Sequence, residues 1–501
     1  MQYIVNAREM KRYDAETVSH FGIPSMVLME RAALVTVEEI LNSGADLSNV
    51  AVFCGSGNNG GDGIAIARML FLNKLKVKIL MVGSEKSYSE QTKQQLKIAV
   101  KYKVPIEYIE GDEIAGTTYT TIIDAMFGIG LSRNIEGRYA KILEEINTSL
   151  ATKIAVDIPS GICADTGKVM GCAVKADFTV TFAFYKTGLL LYPGAEYAGK
   201  VIKRDIGIYA IDGQRSNAVL YTYDNNDLSQ LLPVRYAGSN KGTYGKVLLI
   251  AGSLAMAGAA CLSGEAAYRM GCGLVRIITP EENRTILQST LPEAVLMVYG
   301  KEHIEESSVL DAIRQADVIG IGSGIGTATV AKRLLELVLT HARVPVVVDA
   351  DGLNIIAERK ELLRNHLQPV IITPHIGEMS RLTGKSISEI KAEPIACARQ
   401  FANEYQVICV LKDSRTVVTD PQGETYLNLS GNHGMSTAGA GDVLMGMISG
   451  LLASGAEGMK AATAGVWIHG LSGDRMVKET GTRGLLARDI VTGISRVIRG
   501  D

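Results

Sequence analysis

The sequence predicts two consecutive α/β domains, each built on a largely parallel sheet. Short apolar strands alternate with segments of helical periodicity in both halves, and a polar, turn-prone segment at residues 210–226 interrupts this alternation once. The 501 residues include 53 glycines, which suits the tight strand-to-helix turns of such sheets. We therefore place a doubly wound domain at residues 1–212 and a second α/β domain at residues 225–501.

The elements of the first domain follow from the spacing of its apolar residues. Helical spacing predicts helices between residues 7 and 41 and again at 64–72, 89–102 and 139–150. Short apolar runs predict strands at 49–54, 77–82, 121–126, 153–158, 178–182 and 200–208. Because strands and helices alternate, we expect the strands to be parallel and to carry ligand groups at their carboxyl ends.

The pattern restarts in the second half with a strand at residues 246–253 that enters a small-residue turn. Further strands are predicted at 274–279, 318–321, 344–348, 370–372, 407–411 and 416–419. Helices at 258–271, 327–340, 389–405 and 442–453 alternate with them. The second half should therefore have its own sheet and its own core.

Composition restricts the possible partners. The chain carries 51 basic and 53 acidic residues and a single Trp, so it favours neither nucleic acid nor an anionic membrane. No apolar run reaches membrane-spanning length, and the N-terminus fits neither a signal peptide nor a transit peptide. The seven cysteines lie far apart and predict reduced thiols rather than a zinc site. We expect a cytoplasmic homo-oligomer whose partners are small molecules.

A run of small residues from Ser436 to Gly446 leads directly into an apolar helix. Its glycines and alanines let backbone N–H groups converge at the helix N-terminus, which favours a bound anion. Asp442 stands in the first turn, where it would repel a phosphate unless it takes part in the chemistry, for example by accepting a proton from an attacking hydroxyl. The alternative from the residues alone is that Asp442 caps the helix after a Gly-rich loop.

Three strand ends of the first domain combine acids with glycine. They are Asn58-Asn59-Gly60-Gly61-Asp62-Gly63, interpreted as a loop before the helix at 64–72, then Asp124 with residues 125–130, and Asp157 with residues 158–161. The oxygens of Asn59, Asp124 and Ser160 suit a monovalent cation, and Asp157 would then remain free as an acid or base. Each segment alone could equally serve turn chemistry, a loop cap or a brace for the Pro159 turn.

These segments, with Asp165-Thr166-Gly167 and the strand from Ala176 to Phe182, resemble the NAD(P)H-hydrate epimerase family over residues 1–212. The resemblance implies a Rossmann-like fold that interconverts the R and S forms of hydrated NADH and NADPH (NADHX and NADPHX), with potassium held by Asn59, Asp124 and Ser160. Inverting a carbinol carbon beside a ring nitrogen needs a group that protonates the departing hydroxyl and returns water to the other face, and we assign this role to Asp157. The hydrate-binding residues that the resemblance implies are Asn58, Asn59, Gly60, Gly61, Asp62, Gly128, Ile129, Gly130, Leu131, Ser132, Arg133, Asn134, Tyr139 and Asp157.

Six clusters at strand ends and tight turns of the second half resemble the ADP-dependent NAD(P)H-hydrate dehydratase family, a branch of the ribokinase-like fold, over about residues 225–501. The clusters are Lys241-Gly242-Thr243-Tyr244-Gly245-Lys246, Gly322-Ser323-Gly324-Ile325-Gly326, Asp349-Ala350-Asp351, Thr373-Pro374-His375-Ile376-Gly377-Glu378, Leu411-Lys412-Asp413-Ser414-Arg415-Thr416 and Ala440-Gly441-Asp442. The order of the two domains matches a fused, bifunctional repair enzyme.

The dehydratase resemblance implies ADP as co-substrate, with Mg²⁺ screening its phosphates. Asp442 would deprotonate the C6 hydroxyl for attack on the β-phosphoryl group, and loss of the phosphorylated hydroxyl would give AMP, phosphate and NAD(P)H. The residues implied to contact the hydrate are Ala259, Gly324 or Gly326, His375 and Asp442. Those implied to contact the AMP part of the nucleotide are Lys412, Asp413, Ser414, Arg415, Thr416 and Gly441. Taken alone, His375 could be a turn residue with satisfied nitrogens and Lys412 a solvated strand end.

The second half departs from the dehydratase pattern at Ser323, at Ile376 and at residues 437–440, where the family carries Pro, Pro and a Lys-Gly-Gly approach. Loss of that Lys predicts a phosphate loop without a nearby cation, and the departures leave ADP and ATP open as the nucleotide. Two alternative functions also stay open. One is a ribokinase-type kinase for a vitamin or sugar, with the first domain as a regulator, and the other is a first domain that only docks partners.

Overall fold

The computed structural model describes residues 1–109, 118–210, 219–300, 304–364 and 366–500. The chain divides into two compact units, Gln2–Arg215 and Ser216–Asp501, the second also including Met1. Residues 211–218, within the polar segment in which we predicted the domain boundary, lie outside the described residues. No helix of the described ranges has the length and apolar character needed to cross a membrane.

The first unit alternates strands and helices along its length. Its strands are β1 (Gln2–Val5), β2 (Val50–Cys54), β3 (Val77–Met81), β4 (Ile106–Tyr108), β5 (Thr121–Ala125), β6 (Thr152–Val156), β7 (Phe178–Phe182), β8 (Tyr185–Lys186) and β9 (Lys200–Arg204). Its helices are α1 (Ala7–Ser19), α2 (Ser25–Asn42), α3 (Asn58–Leu72), α4 (Glu90–Lys101), α5 (Arg138–Thr148), α6 (Thr187–Leu190) and α7 (Gly194–Ala198). The six strands predicted from apolar runs are confirmed, with ends shifted by a few residues.

Seven of these strands form one parallel sheet in the order β4-β3-β2-β5-β6-β7-β9, and β1 and β8 pair separately. Alternate residues of β2 enter different cores: Val52 packs with α1–α4 on one face, and Phe53 packs with α5 on the other. The chain moves outward from β2 to β4 and then returns to the opposite side of β2 as β5. The crevice between the carboxyl ends of β2 and β5 is therefore the switch point at which such sheets bind ligands.

The segment from Asn58 to Gly63 is helical, so its interpretation as a loop is wrong. Helix α3 already begins at Asn58, with Gly57 as its N-cap. The glycines serve close packing of this helix on the sheet: a Cβ at Gly60 would lie 1.9 Å from the Gly55 carbonyl oxygen, and one at Gly63 would lie 2.5 Å from Ala125 Cβ. Asn58, Asn59 and Asp62 thus stand on the first turns of a helix that points into the switch-point crevice.

The second unit repeats the α/β alternation on a larger sheet. Its strands are β10 (Leu220–Thr222), β11 (Lys246–Ile250), β12 (Leu274–Pro280), β13 (Val295–Tyr299), β14 (Val318–Ile321), β15 (Val346–Val348), β16 (Val370–Ile372), β17 (Ile408–Leu411), β18 (Val417–Thr419) and β19 (Thr425–Leu427). Its helices are α8 (Leu228–Leu231), α9 (Ala257–Arg269), α10 (Arg284–Thr290), α11 (Glu306–Gln315), α12 (Thr329–His341), α13 (Ala350–Glu358), α14 (Ile376–Thr383), α15 (Ile387–Ala392), α16 (Pro394–Tyr405), α17 (Ala440–Ala453), α18 (Gly458–Gly484) and α19 (Ala487–Arg499).

Strands of this unit follow the order β13-β12-β11-β14-β15-β16-β17-β18-β19-β10, parallel from β13 to β17 and antiparallel where β18 meets β17 and β19. The chain again leaves the centre in one direction, through β12 and β13, and returns on the other side as β14. A second switch point therefore lies between β11 and β14. All seven predicted strands of this half are confirmed, whereas the predicted helix at 389–405 is divided into α15 and α16, with Pro394 at the start of the latter.

Helix α17 packs closely on α9 through glycine. A Cβ at Gly446 would lie 2.1 Å from the Ser263 carbonyl oxygen, so the backbones leave no room for a side chain there. We expect Gly446→Ala to lower the free energy of unfolding by about 1–3 kcal/mol. The matched control is Gly258→Ala on α9, where an added methyl meets nothing within 4 Å and should be neutral or stabilising. Thermal unfolding of both variants checks this, and equal melting temperatures would contradict it.

Candidate functional sites

A cavity of about 550 Å³ occupies the switch point of the first unit, within the size range of small-molecule sites. It is walled by the first turns of α3, by the loop that follows β5 and by α1 and α2. Of the predicted hydrate-binding residues, the described structure places nine in the wall: Asn58, Asn59, Asp62, Gly128, Ile129, Gly130, Leu131, Ser132 and Arg133, with Asp157 as a tenth.

Four predicted hydrate-binding residues do not line this cavity. Gly60 and Gly61 are buried in α3, where their α-carbons face Gly55 and the Met29 side chain. Asn134 directly follows Arg133 in the sequence but does not line the cavity. The Tyr139 ring packs edge-on against the Phe127 ring at a centroid distance of 5.2 Å. The glycines are therefore required for the approach of α3 to the sheet, and a direct role in binding stays a prediction for all four residues.

Asp157 is held by a buried lysine. Lys186 is fully buried, its Nζ lies 2.5 Å from Asp157 Oδ1, and it also donates to Thr181 Oγ1 at 2.9 Å. The same Asp157 oxygen accepts from Thr181 Oγ1 at 3.1 Å and from the Phe182 amide at 3.3 Å. Asp157 is thus held by an ion pair and two further donors, and its role as an acid or base stays a prediction.

The backbone at Asp157 is also unusual. Its φ is +66°, in the left-handed region that non-glycine residues rarely adopt. The residue follows β6 directly, and its amide donates to the Val180 carbonyl oxygen at 2.8 Å, which fixes this turn against β7. A strained polar residue at a strand end, facing a cavity, is typical of a catalytic position.

Asp124 and Ser160 form a buried pair beside the cavity. The Ser160 hydroxyl donates to Asp124 Oδ1 at 2.6 Å, and the Ser160 amide donates to Asp124 Oδ2 at 2.7 Å. Burial raises the pKa of Asp124 to about 6, against the effect of these hydrogen bonds. Among the described residues, the carboxylate has no cationic partner, and the buried Asn59 amide nitrogen has no hydrogen-bond partner. An uncompensated buried carboxylate beside a hydroxyl group fits a monovalent cation.

In the second unit, Asp442 lies in the first turn of α17, where Gly439 is the N-cap with a φ of +92°. The interpretation of Asp442 as the capping residue is therefore wrong. Burial and the Asp349 carboxylate raise the pKa of Asp442 to about 6, while the Ser323 hydroxyl and Lys412 oppose this shift. Asp442 is thus a carboxyl group that can exchange a proton near neutral pH at a helix N-terminus.

Lys412 supplies a cation to the same helix N-terminus, so the prediction of a phosphate loop without one is wrong. Its Nζ lies 2.7 Å from Asp349 Oδ1, and a Cβ at Gly441 would lie 3.4 Å from that Nζ. Thr373 Oγ1 also donates to Asp349 Oδ1 at 2.7 Å. Burial would lower the pKa of Lys412, but Asp349 and Glu378 outweigh it and the pKa is raised. Lys412 is therefore a held cation rather than a solvated strand end.

His375 is both a helix cap and an exposed proton donor. Its Nδ1 accepts from the amides of Gly377 at 2.9 Å and Glu378 at 3.3 Å, which places the ring proton on Nε2. Burial and the charges of Lys412 and Arg381 lower the pKa of His375, so the ring is neutral. The ring is 54% exposed, and its Nε2 stands 3.4 Å from Glu378 Oε1. The turn-residue interpretation is right for Nδ1, while Nε2 remains available to a ligand.

The loops after β11 and β14 meet beside α17, at the second switch point. The Gly252 amide donates to the Ser323 carbonyl oxygen at 2.9 Å, and a Cβ at Gly324 would lie 2.9 Å from Ala259 Cβ. The Gly326 amide donates to Asp351 Oδ2 at 2.8 Å. The structure therefore brings Ala259 and Gly324 together, and their contact with a hydrate stays a prediction.

Apart from Gly441 on α17, the other predicted nucleotide contacts lie in the tight connection between β17 and β18. Asp413 and Ser414 are exposed there, and Thr416 Oγ1 donates to the Asp413 carbonyl oxygen at 3.4 Å. Contact of Asp413, Ser414, Arg415, Thr416 and Gly441 with a nucleotide stays a prediction. Lys412, at the start of this connection, points toward Asp349 and α17 instead.

Several charged residues of the two sites were not predicted from the sequence. In the first unit these are Lys186 and two residues of α1, Lys11 and Asp14, all of which line the cavity. In the second unit, burial lowers the pKa of His469 to about 4 beside the Ala440 backbone. A lone charged residue among apolar neighbours, as in Tyr185-Lys186-Thr187, is the one signal that could have indicated Lys186.

Comparison with family models matches residues 25–188 to a model described as YjeF-related protein N-terminus and residues 247–496 to one described as NAD(P)H-hydrate dehydratase. Relatives named bifunctional NAD(P)H-hydrate repair enzyme Nnr from Thermofilum pendens, Moorella thermoacetica and Escherichia coli are 35%, 35% and 33% identical. The alignments cover 99%, 99% and 98% of this chain and 96%, 97% and 93% of the relatives. The similarity therefore extends over both units.

Two solved structures resemble the second unit. The ADP/ATP-dependent NAD(P)H-hydrate dehydratase from Bacillus subtilis, co-crystallised with ATP/Mg²⁺, is 32% identical with a TM-score of 0.50 and covers 56% of this chain and 98% of its own. A ribokinase-like superfamily protein from Enterococcus faecalis is 27% identical with a TM-score of 0.51, and the match covers 58% of this chain and 99% of that protein. The predicted fold class, a Rossmann-like αβα domain followed by a ribokinase-like α/β domain, is confirmed.

Proposed function

The chain belongs to the family of bifunctional NAD(P)H-hydrate repair enzymes, and we propose that residues 1–212 carry the epimerase and residues 225–501 the dehydratase. The protein is an enzyme of metabolite repair that acts on hydrated nicotinamide nucleotides: one domain interconverts the R and S hydrates, and the other dehydrates the S form. The observation that supports this division best is that each unit holds its own acid–base carboxylate, Asp157 or Asp442, at its own switch point.

For the epimerase, we propose that the hydrate enters the cavity with its nicotinamide ring beside Asp157. Lys186 and the Phe182 amide hold the Asp157 carboxyl group in place, and Asp157 acts as the proton acceptor for the water that attacks C6 after the hydroxyl has left. The N-terminus of α3 with Lys11 and Arg133, all in the cavity wall, suits the negative diphosphate of the substrate. A docking module would not need buried carboxylates in such a cavity, which argues against the scaffold alternative.

Potassium is proposed to bind Asp124, Ser160 and Asn59. The ion would neutralise a buried carboxylate and fix the loop after β5, whose residues 128–133 line the cavity. The ion would therefore have a structural role, which is to keep this loop in place. The chain's own residues keep the roles of binding and proton transfer.

Replacing K⁺ by a quaternary ammonium ion is expected to lower the epimerisation rate and the melting temperature of the first domain. Because an ion that binds only the folded state stabilises it, the gain reaches about 2.7 kcal/mol at a hundred times its dissociation constant. In Asp124→Asn, which keeps the shape of the side chain, both responses to K⁺ should vanish. Thermal unfolding and rate measurements across a K⁺ titration check this, and an Asp124→Asn protein that responds as the wild type would contradict the site.

In the dehydratase, we propose that Asp442 accepts the proton of the C6 hydroxyl while the hydroxyl oxygen attacks the β-phosphoryl group of ADP. The bond from that phosphorus to the bridging oxygen breaks and AMP leaves. The phosphorylated hydroxyl then departs as phosphate, pushed by the ring-nitrogen lone pair, and loss of a C5 proton restores the dihydronicotinamide. Lys412 and the amides at residues 440–442 stabilise the negative charge on the transferred group.

Mg²⁺ is proposed to screen the nucleotide phosphates. Among the described residues, no group of three or more His, Cys, Asp or Glu side chains could hold a metal ion. This fits an ion that is held mainly by phosphate oxygens and water, as Mg²⁺ commonly is in nucleotide sites.

The rate of dehydration should depend on the protonation of Asp442. Because the pKa of Asp442 is about 6 and the base form is the active one, kcat/KM is expected to rise about tenfold per pH unit below pH 6 and to level off above it. The measurement is the recovery of NADH absorbance from (S)-NADHX and ADP between pH 4.5 and 8. A profile without a break near pH 6 would contradict the role of Asp442.

The experiment that tests the proposed function as a whole is incubation of the full chain with R and S hydrates and with either ADP or ATP. Recovery of dihydronicotinamide absorbance with formation of AMP or ADP and phosphate supports repair, whereas a stable phosphorylated product supports the kinase alternative. The same assay decides between the two nucleotides and between NADHX and NADPHX. Homo-oligomerisation and a cytoplasmic location stay predictions, and light scattering on the purified protein tests the first.

A further inference from the structure

Asp62 is an acid in the cavity wall that none of the roles above uses. It stands in the second turn of α3, at the switch point, and lines the same cavity as Asp157. Among the described residues, no donor hydrogen-bonds with its carboxyl group. Asp157, by contrast, accepts from Lys186, Thr181 and the Phe182 amide. The cavity therefore contains two carboxyl groups in opposite surroundings.

The charges around Asp62 favour its protonated form. Burial raises the pKa of Asp62 well above its ordinary range, and the carboxylates of Asp157 and Asp14 raise it further. Lys186 opposes this shift, but its ammonium group is committed to Asp157 at 2.5 Å. Lys11 and Arg133 are the other charged side chains of the cavity wall, on α1 and on the loop after β5. Two groups of one type whose environments differ in this way can serve as an acid and a base.

We propose that Asp62 is the proton donor of epimerisation and that Asp157 is the corresponding proton acceptor. This inference rests on the proposed epimerase function. It replaces the assignment of both proton transfers to Asp157 by a division between two carboxyl groups of one cavity, and it makes Asp62 a catalytic residue rather than a binding residue only.

The reaction balances without an oxidant or reductant. The Asp62 carboxyl proton passes to the C6 hydroxyl oxygen, the C6–O bond breaks, and the ring-nitrogen lone pair becomes the N1=C6 π bond as water leaves. A second water attacks the other face of C6, its proton passes to Asp157, and the π electrons return to N1. The net change in the enzyme is one proton moved from Asp62 to Asp157. With the proton on Asp157, the enzyme can catalyse the reverse epimerisation. Proton exchange with water in the cavity returns the proton to Asp62.

The test measures epimerisation in the full chain directly, by chromatographic separation of the R and S hydrates without nucleotide. Asp62→Asn, which keeps the shape and removes the acid, is expected to lower kcat about 10²–10⁴-fold, the usual contribution of a general acid, with a much smaller change in KM. Asp62→Glu should recover part of this loss. The wild-type kcat should fall at high pH, where Asp62 loses its proton, and this descending limb should be absent in Asp62→Asn.

Asp14→Asn is the matched variant, because it removes a neighbouring carboxylate from the same wall. Since Asp14 raises the pKa of Asp62, its loss should move the descending limb of the kcat profile to lower pH. The proposal would be overturned if the kcat of Asp62→Asn for epimerisation were within threefold of the wild-type kcat, or if only KM changed. If the wild-type chain does not interconvert the hydrates at all, the proposed function itself fails, so the two failures are distinguishable. Dehydration by the second domain of each variant reports whether the chain is intact.

Discussion

Asp442→Asn is expected to abolish dehydration while leaving epimerisation at the wild-type rate. An amide keeps the shape of the side chain but cannot accept the proton of the C6 hydroxyl, so kcat should fall about 10²–10⁴-fold, as is typical for loss of a general base. The substitution does not alter the proposed substrate contacts at Ala259 and Gly324, and KM should therefore change little. The measurement is NADH recovery from (S)-NADHX and ADP, with epimerisation of the same preparation assayed in parallel.

A second helix of the chain offers a control for this variant. Asp489 occupies the same third position of α19, and its Oδ2 accepts from the Leu486 amide at 2.9 Å, so it serves the helix end. Asp489→Asn should cost stability, up to about 1 kcal/mol, without a large effect on either activity. A dehydration rate in Asp442→Asn close to that of Asp489→Asn would show that Asp442 only stabilises its helix.

The sequence predicted the fold well because its main signals are local. Apolar runs of four to six residues between polar turns identify the central strands of both sheets, and strand-to-helix alternation makes them parallel. The strands that it missed are short pieces at or near sheet edges, such as β4 and β10, and β13, whose residues are only partly buried. β4 and β10 are too short to form an apolar run, whereas β13 has one, Val295–Tyr299, that was overlooked.

The glycine-rich segment at Asn58 shows where local signals mislead. Asn and Gly in succession are typical of a loop, yet here they form the first turns of α3, because the sheet comes so close that only glycine fits at residues 60 and 63. Tertiary packing overrides the intrinsic propensity. The sequence located the correct residues at the correct strand end and assigned them the wrong local structure.

The charge partners of the two sites could not be predicted from the sequence. Lys186 is 29 residues from Asp157, and Lys412 is 63 residues from Asp349. Neither pair has a fixed spacing. The pairing of β6 with β7 brings Lys186, just after β7, beside Asp157, and the sheet order brings β17 near Asp349. Sequence reasoning could therefore name Asp157 and Asp442, which follow strand or turn signals, but it could not state their ionisation or the cation at the phosphate loop.

Lys186→Met is expected to stop epimerisation and to destabilise the first domain. Lys186 is fully buried, and removal of its charge leaves Asp157 and its donors without the cation that compensates the buried carboxylate. Breaking a buried ion pair by removing one partner costs about 3–5 kcal/mol. Because Asp157 then loses the donor that holds its carboxyl group in position, kcat should fall about 10²–10⁴-fold. Thermal unfolding and direct R/S interconversion measure the two effects, and dehydration should persist.

A lysine at the surface of the same sheet provides the matched control. Lys78 on β3 pairs with Glu107 at 2.9 Å, but its side chain is 38% exposed, so Lys78→Met should change stability by no more than about 1 kcal/mol and leave both activities intact. Asp157→Asn should stop epimerisation by itself. If the pair acts as one unit, the double variant Lys186→Met with Asp157→Asn should be no slower than either single variant and more stable than Lys186→Met alone, since no unpaired charge remains buried. If the double variant lost epimerisation activity and stability by the sum of the two single effects, Lys186 would act independently of Asp157.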